Sequence, residues 1–392
     1  VLPAIEKDIP VPTGVWACNG NGRYMQHLGY YYSLTGYEPA KVLGKKLANY
    51  VRYHSQFFGK EGEWLKDQLD PKDFPFREND LHLGSHSHNL LYLLDFAIGT
   101  GDRELMDWVR KSFEWGIQYN SEIPGQCSTA DRMGFFVEYL NPYYPTAEHC
   151  GVADMVAIAL KLSKAGVGDY YDAADRWIRN HFAENQVMTA DWTNTSSEGA
   201  WPKTPAADES NDRVAERNVG TFFGWPSAND GCPYGRGHMH CCAGNGARTL
   251  YYVWENMMEH KDGVLKVHLL MNRASAWADL DSYIPYTGRV ELRIKQPLKS
   301  VLIRVPEWVA TGSTELKCLL SDKPHGFEWK DRYIEIQNVE PGTTLTLTFP
   351  ITEKIITRRI YGAPVETVLG GVVYDSITFR GNEVVDIKPE GK

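Results

Sequence analysis

The sequence has no apolar run near the roughly 20 residues that cross a bilayer, so no membrane-spanning helix is expected from it. It also has no Lys/Arg-rich run, and its formal net charge is -9. That combination removes the electrostatic footprint of a nucleic acid or an anionic membrane partner and favours a neutral or small substrate. The opening residues VLPAIEKDIPVPTGVW lack the basic and apolar regions of a signal peptide, and the absence of an initiator methionine fits a trimmed chain. Cysteine is sparse: seven residues, at 18, 127, 150, 232, 241, 242 and 318, an odd number without the spacing of a disulfide framework. Free or metal-bound thiols are expected, and with them a cytoplasmic setting.

What the chain does have is length and apolar content. At 392 residues it is too long for one ordinary core, so two domains are expected. Up to residue 262 the apolar residues recur at helical spacing, as in Leu43, Leu47, Val51, His54, Phe58 and in Leu105, Val109, Phe113, Ile117. Val152, Met155, Val156, Ala159 and Leu162 predict a helix that stops at Gly166, and Tyr170, Ala173, Ala174, Trp177 and Ile178 predict its hairpin partner. A last helix begins near Ala243, carries Leu250, Val253, Trp254, Met257 and Met258 on one face, and ends at His260, Lys261 and Gly263. From residue 263 the period switches to two, as in Val290, Leu292, Ile294; Val301, Ile303, Val305; and Leu345, Leu347, Phe349. The expected organisation is a helical domain over 1–262 and an antiparallel β-sandwich over 263–392. Between the regular parts, residues 189–237 are rich in Trp, Asn, Gly and Pro with little periodicity, the composition of a long loop that carries a site.

Two clusters stand at helix starts. YPTAEHCGVADM places Glu148 and Cys150 in an extended segment just before a helix, where both face one way. GHMHCCAGNGARTLYYVWE places Cys241 and Cys242 together. Three thiolates and one carboxylate form a soft set of four donors that suits tetrahedral Zn2+ over calcium or magnesium, although the spacing is no zinc-finger pattern. The plain alternative is that these cysteines are small buried hydrophobes. A helix N-terminus and a bound cation both stabilise thiolate, so Cys241 or Cys242 can instead act as a nucleophile. Its acid partner would be Glu138, in an aromatic run where an apolar pocket raises a carboxyl's pKa; a solvated surface glutamate is the other reading. His86 and His88, on a loop ahead of a helix, and His240, beside Cys241, are candidate sugar contacts. So is Trp225, with Trp16, Trp192 and Trp201 as further loop tryptophans for ring stacking, although such residues more often pack in cores.

Together AEHCGVADMVAIALKLSKAGVGDYYDAADRWIRNHF and GHMHCCAGNGARTLYYVWE resemble glycoside hydrolase family 127, the β-L-arabinofuranosidase family, over most of residues 80–350. The resemblance implies an (α/α)6 helical barrel followed by a β-sandwich. It also implies Zn2+ held by Glu148, Cys150, Cys241 and Cys242, with Cys241 as nucleophile of a retaining hydrolase and Glu138 as acid/base. About seven helices precede the β region here, against about twelve in such a barrel, so part of the barrel is expected to be missing and a further segment or a second copy to complete it. Two rivals share the scaffold: a carbohydrate-binding protein with a structural zinc, and a polysaccharide lyase.

Overall fold

The computed structural model describes residues 15–55, 57–65, 83–122, 148–191, 207–208, 210, 212–224, 239–358 and 374–389. They divide into two compact units: a helical unit, with the described residues up to Asp169 and from Trp177 to Thr249, and a β unit, with Tyr170–Arg176, Leu250–Arg358 and the strands from Tyr374 onward.

The helices in chain order are α1 (Val15–Thr35), α2 (Glu38–Tyr53), α3 (Leu83–Thr100), α4 (Arg103–Glu122), α5 (His149–Lys164), α6 (Tyr171–Trp177), α7 (Val214–Arg217) and α8 (His240–Met257), with a π-helical turn at Ile178–Phe182. The centre of the helical unit is α3, which packs against α1, α4 and α5. Every residue of α3 from Leu83 to Ala97 is buried, as is every residue of α5 from His149 to Leu160. A helix buried all round belongs inside a core. α3 has no acidic residue in its first turn and no basic residue in its last. It is held instead by burial of Leu90, Leu91, Leu93 and Leu94, each side chain contributing on the order of 1.5–3 kcal/mol. Two of its buried polar residues find partners as follows: Asn89 Nδ2 donates to Ser85 O at 2.8 Å, and Asp95 accepts from Gln26 Nε2 of α1 at 2.6 Å.

Four local expectations are corrected. The helix read through Phe58 stops at Tyr53, and Phe58 instead pairs with Trp64 in an isolated bridge. His86 and His88 lie inside α3, not on a loop, and Trp16 lies inside α1. The last helix begins at His240 and ends at Met257; Met258–Lys261 form a strand paired with Val264–Val267. Asp262 and Gly263 form that turn with φ of 54° and 85°, the left-handed pair that a two-residue hairpin demands. The basic residues read as a helix end belong to the hairpin.

The β unit contains thirteen described strands. One five-stranded sheet has the order β1 (Met258–Lys261), β2 (Val264–Val267), β5 (Leu298–Arg304), β9 (Tyr333–Val339), β8 (Glu328–Lys330). The second has the order β3 (Ala278–Ser282), β4 (Arg289–Ile294), β10 (Thr344–Thr348), β6 (Lys317–Leu320), β7 (Lys323–Pro324). A three-stranded sheet joins β11 (Glu353–Arg358), β12 (Tyr374–Arg380) and β13 (Glu383–Pro389). The first two sheets share a core, with Leu265, Val301 and Ile336 from one and Leu280, Leu292 and Leu345 from the other, the alternate residues of each strand as a sandwich requires. Pairing is antiparallel except between β2 and β5, which run parallel in register from Val264 and Ser300, a departure from the all-antiparallel expectation. After β2 the chain forms β3 and β4 in the other sheet and returns to lay β5 beside β2, a connection long enough for parallel pairing.

Candidate metal centre

The first turns of α5 and α8 bring the two sequence clusters together. Glu148 is the N-cap residue of α5, with extended backbone and no side-chain bond to the helix end. Cys150 lies inside the first turn and not in an extended segment ahead of it. Cys241 and Cys242 occupy the first turn of α8. The positive end of each helix dipole thus lies at the thiols.

Cys150 Sγ lies 3.3 Å from Cys242 Sγ, Cys242 Sγ lies 3.9 Å from Cys241 Sγ, and one ligand atom from each of the four residues lies within 4.8 Å of all the others. With Zn–S near 2.3 Å, a tetrahedron has edges of roughly 3.8 Å, so the observed separations fit a single zinc ion. The donor chemistry fits as well, since three sulfurs and one carboxylate are a soft set. Glu148, Cys150 and Cys242 are buried, whereas Cys241 is half-buried. The Gly224 carbonyl accepts the His149 N–H at 2.9 Å and the Cys242 thiol at 3.4 Å, tying both helix starts to one strand-like segment.

The three sulfurs share protons unequally. Hydrogen bonds from Cys150 and then Cys242 draw the Cys241 thiol far below its ordinary value. Cys150 is raised by its bonds to Cys241 and Cys242 and by burial. Cys242, which Cys150 pulls down, is raised by Cys241 and by burial. Cys241, the least buried of the three, is thus the cysteine whose thiolate form is favoured, which is the property a nucleophile needs.

The packing around the cluster explains its position. His149 is fully buried in a cluster with the rings of Phe182 and Phe222, with centroids 5.2 Å and 4.6 Å away, and burial holds it well below the usual histidine value. Phe222 in turn fits against Gly246 of α8, where an added Cβ would stand 2.3 Å from the ring.

Among the predicted sugar contacts, His240 is exposed at the start of α8, adjacent to Cys241. His86 is fully buried, stacked on Trp64 with centroids 5.0 Å apart, its Nε2 near the carbonyls of Phe57 and Leu65 at 3.1 Å and 2.9 Å. His88 is buried against Asp154. Glu138, Trp192, Trp201 and Trp225 lie outside the described residues. Sequence reasoning passed over Asp154 and Arg248, which join the site's two helices, and Asn245, which joins α8 to His88 of α3. Their signal was spacing: Asp154 is four residues beyond Cys150, and Asn245 and Arg248 are four and seven beyond Cys241, each on the face of its cysteine.

No protein-family model and no curated protein matches the sequence. Solved structures do match. The chain is similar to a GH127 beta-arabinofuranosidase, with TM-score 0.56 and 16% identity over 92% of this chain and 55% of that one. The fold is GH127-like. A second match, a structure described as a glycoside hydrolase, has TM-score 0.55 and 15% identity over 92% of this chain and 59% of that one. The chain spans little more than half the length of either. At such identities the likeness is one of fold, and the chemistry rests on the residues described above.

Proposed function

We propose that the chain is a retaining glycoside hydrolase of divergent sequence that cleaves β-L-arabinofuranoside-type linkages, with Zn2+ held by Glu148, Cys150, Cys241 and Cys242. The observation that carries this reading is the convergence of three sulfurs and one carboxylate within 4.8 Å at two helix starts, with Cys241 the least buried of the three cysteines. The helical unit is read as part of an (α/α)6 toroid, and the name of the GH127 neighbour supplies the substrate class.

The Cys241 thiolate attacks the anomeric carbon, forming a C–S bond as the glycosidic C–O bond breaks through an oxocarbenium-like transition state. Glu138 gives its proton to the leaving oxygen. Glu138, now a carboxylate, takes a proton from water; the water oxygen attacks the same carbon, the C–S bond breaks and the thiolate returns. Two inversions retain the configuration. Bound zinc would supply positive charge that keeps the thiols ionised and fixes their direction. His240 is the exposed side chain beside the nucleophile and is assigned to sugar contact, with Trp225 as a further candidate; His88, buried with its ring nitrogens facing Asp154 and Asn245, is assigned to packing between helices. His86, enclosed by aromatic rings and carbonyls, is assigned to packing.

The closed set of four donors also fits a structural zinc in a carbohydrate-binding protein, because structural sites leave no open position. Substitution separates the two readings. Cys241→Ser is expected to abolish hydrolysis of an aryl β-L-arabinofuranoside while leaving a folded protein that binds the sugar, and Cys242→Ser chiefly to weaken zinc. Mild, equal effects of both on hydrolysis would remove the nucleophile role, and sugar binding without any turnover by the unaltered chain would favour the structural reading.

A further inference from the structure

The four donors converge only if α5 and α8 hold one register, and one turn beyond the donors a second set of side chains is built between the same helices. Asp154 follows Cys150 by one turn on α5 and is completely buried. Its Oδ1 accepts from Arg248 Nη2 at 2.6 Å and its Oδ2 from Ser87 Oγ at 3.3 Å. The same Oδ2 faces His88 Nδ1. The other ring nitrogen, His88 Nε2, lies 3.3 Å from Asn245 Nδ2, and Asn245 follows Cys241 by one turn on α8. With Nδ1–H donated to the carboxylate, Nε2 is left as an acceptor for the Asn245 amide, so each group has a fitting partner.

A carboxylate buried to this degree is strongly destabilised when its partners are removed. Sliding α5 against α8 by one turn, about 5.4 Å, would break the Arg248 bond and the His88 bridge together. The same register places Cys150 Sγ 3.3 Å from Cys242 Sγ.

We propose that Asp154, with His88, Asn245 and Arg248, is a register lock for the metal centre. These are positioning residues that hold the first turns of α5 and α8 so that Glu148, Cys150, Cys241 and Cys242 face a single ion. The inference rests on the reading of those four residues as ligands. The lock acts through the helices: Asp154 fixes α5 to α8 through Arg248, and His88 carries the same carboxylate to Asn245 from a third helix, α3.

The test uses the full chain stripped of metal and titrated with cobalt(II), whose thiolate charge-transfer and ligand-field bands report the geometry of the donor set, and then with zinc against a competing chelator. The unaltered chain is expected to bind one cobalt with a tetrahedral thiolate spectrum. Asp154→Asn is expected to shift the ligand-field bands and to weaken zinc by about 10- to 100-fold, the range found when outer-shell partners are lost. Arg248→Met and Asn245→Ala should each weaken zinc by a smaller factor, and Arg248→Lys should recover part of the loss. The half-exposed Arg248 and Asn245 positions carry the test if Asp154→Asn fails to fold. A tetrahedral cobalt spectrum in the unaltered chain, with the same spectrum and zinc affinity in every folded variant, overturns the lock and leaves the ligand assignment standing. A chain that takes up neither metal overturns both.

Discussion

Gly151, one residue after Cys150, is where α5 meets the start of α3. A Cβ there would stand 2.5 Å from Leu83 Cγ and 3.1 Å from Gly84 N, the second a backbone atom that cannot rotate away. Gly151→Ala is therefore expected to destabilise the chain by about 1–3 kcal/mol through overpacking, read from the denaturation midpoint; an unchanged midpoint would contradict the packing described. His181 makes a second prediction. Burial lowers it from 6.5 to about 3, so between those values the unfolded chain binds the proton that the folded chain refuses. The stability from neutral His181 is full above 6.5 and is lost as pH falls toward 3. His181→Gln should flatten that decline, checked by comparing denaturation of metal-free protein at neutral pH and at about pH 5; an equal decline in both proteins would rule out this source.

At the scale of elements, the hairpin of β1 and β2 turns on Gly263 at φ 85°, with Lys299 Cγ and Cδ 3.1 Å from where a Cβ would stand. Gly263→Ala is expected to cost roughly 1 kcal/mol or more, measured by thermal unfolding, because an L side chain is strained at positive φ; a neutral or stabilising result would contradict the turn. This hairpin also shows how far elements were legible in the sequence. Alternation in Val290–Ile294 and Leu345–Phe349 read directly as strands because one face of each is buried, and the stop before Gly166 read as a helix end. The boundary at Met258 did not, because Met257 and Met258 continue the helical apolar face and the local Asp-Gly turn decides against it. α3 was read too short because its first turn, with Ser85, His86, Ser87 and His88, has a polar composition, and only tertiary partners such as Trp64 and Asp154 make it helical core. In the same way the four cysteine and glutamate donors were legible as residue types at helix starts, whereas Asp154 reads as an ordinary helix residue until Arg248 and His88 are placed around it.

At the scale of the molecule, the four candidate metal donors all belong to the helical unit, and the β unit has a separate apolar core. An ion that binds only the folded state stabilises what it touches by mass action. Chelation is thus expected to lower hydrogen-exchange protection in the first turns of α5 and α8 and to leave the amides of β4, β5 and β10 as they were; uniform loss across both units would contradict a local metal role. Among the described residues no helix is long and apolar enough to cross a membrane. Whether Glu148, Cys150, Cys241 and Cys242 hold one ion is read by native mass spectrometry of the purified chain, which gives bound metal and the number of copies in the same spectrum. One zinc for each chain is expected, lost on Cys242→Ser; a folded chain that remains metal-free in the presence of zinc would contradict the four-donor site.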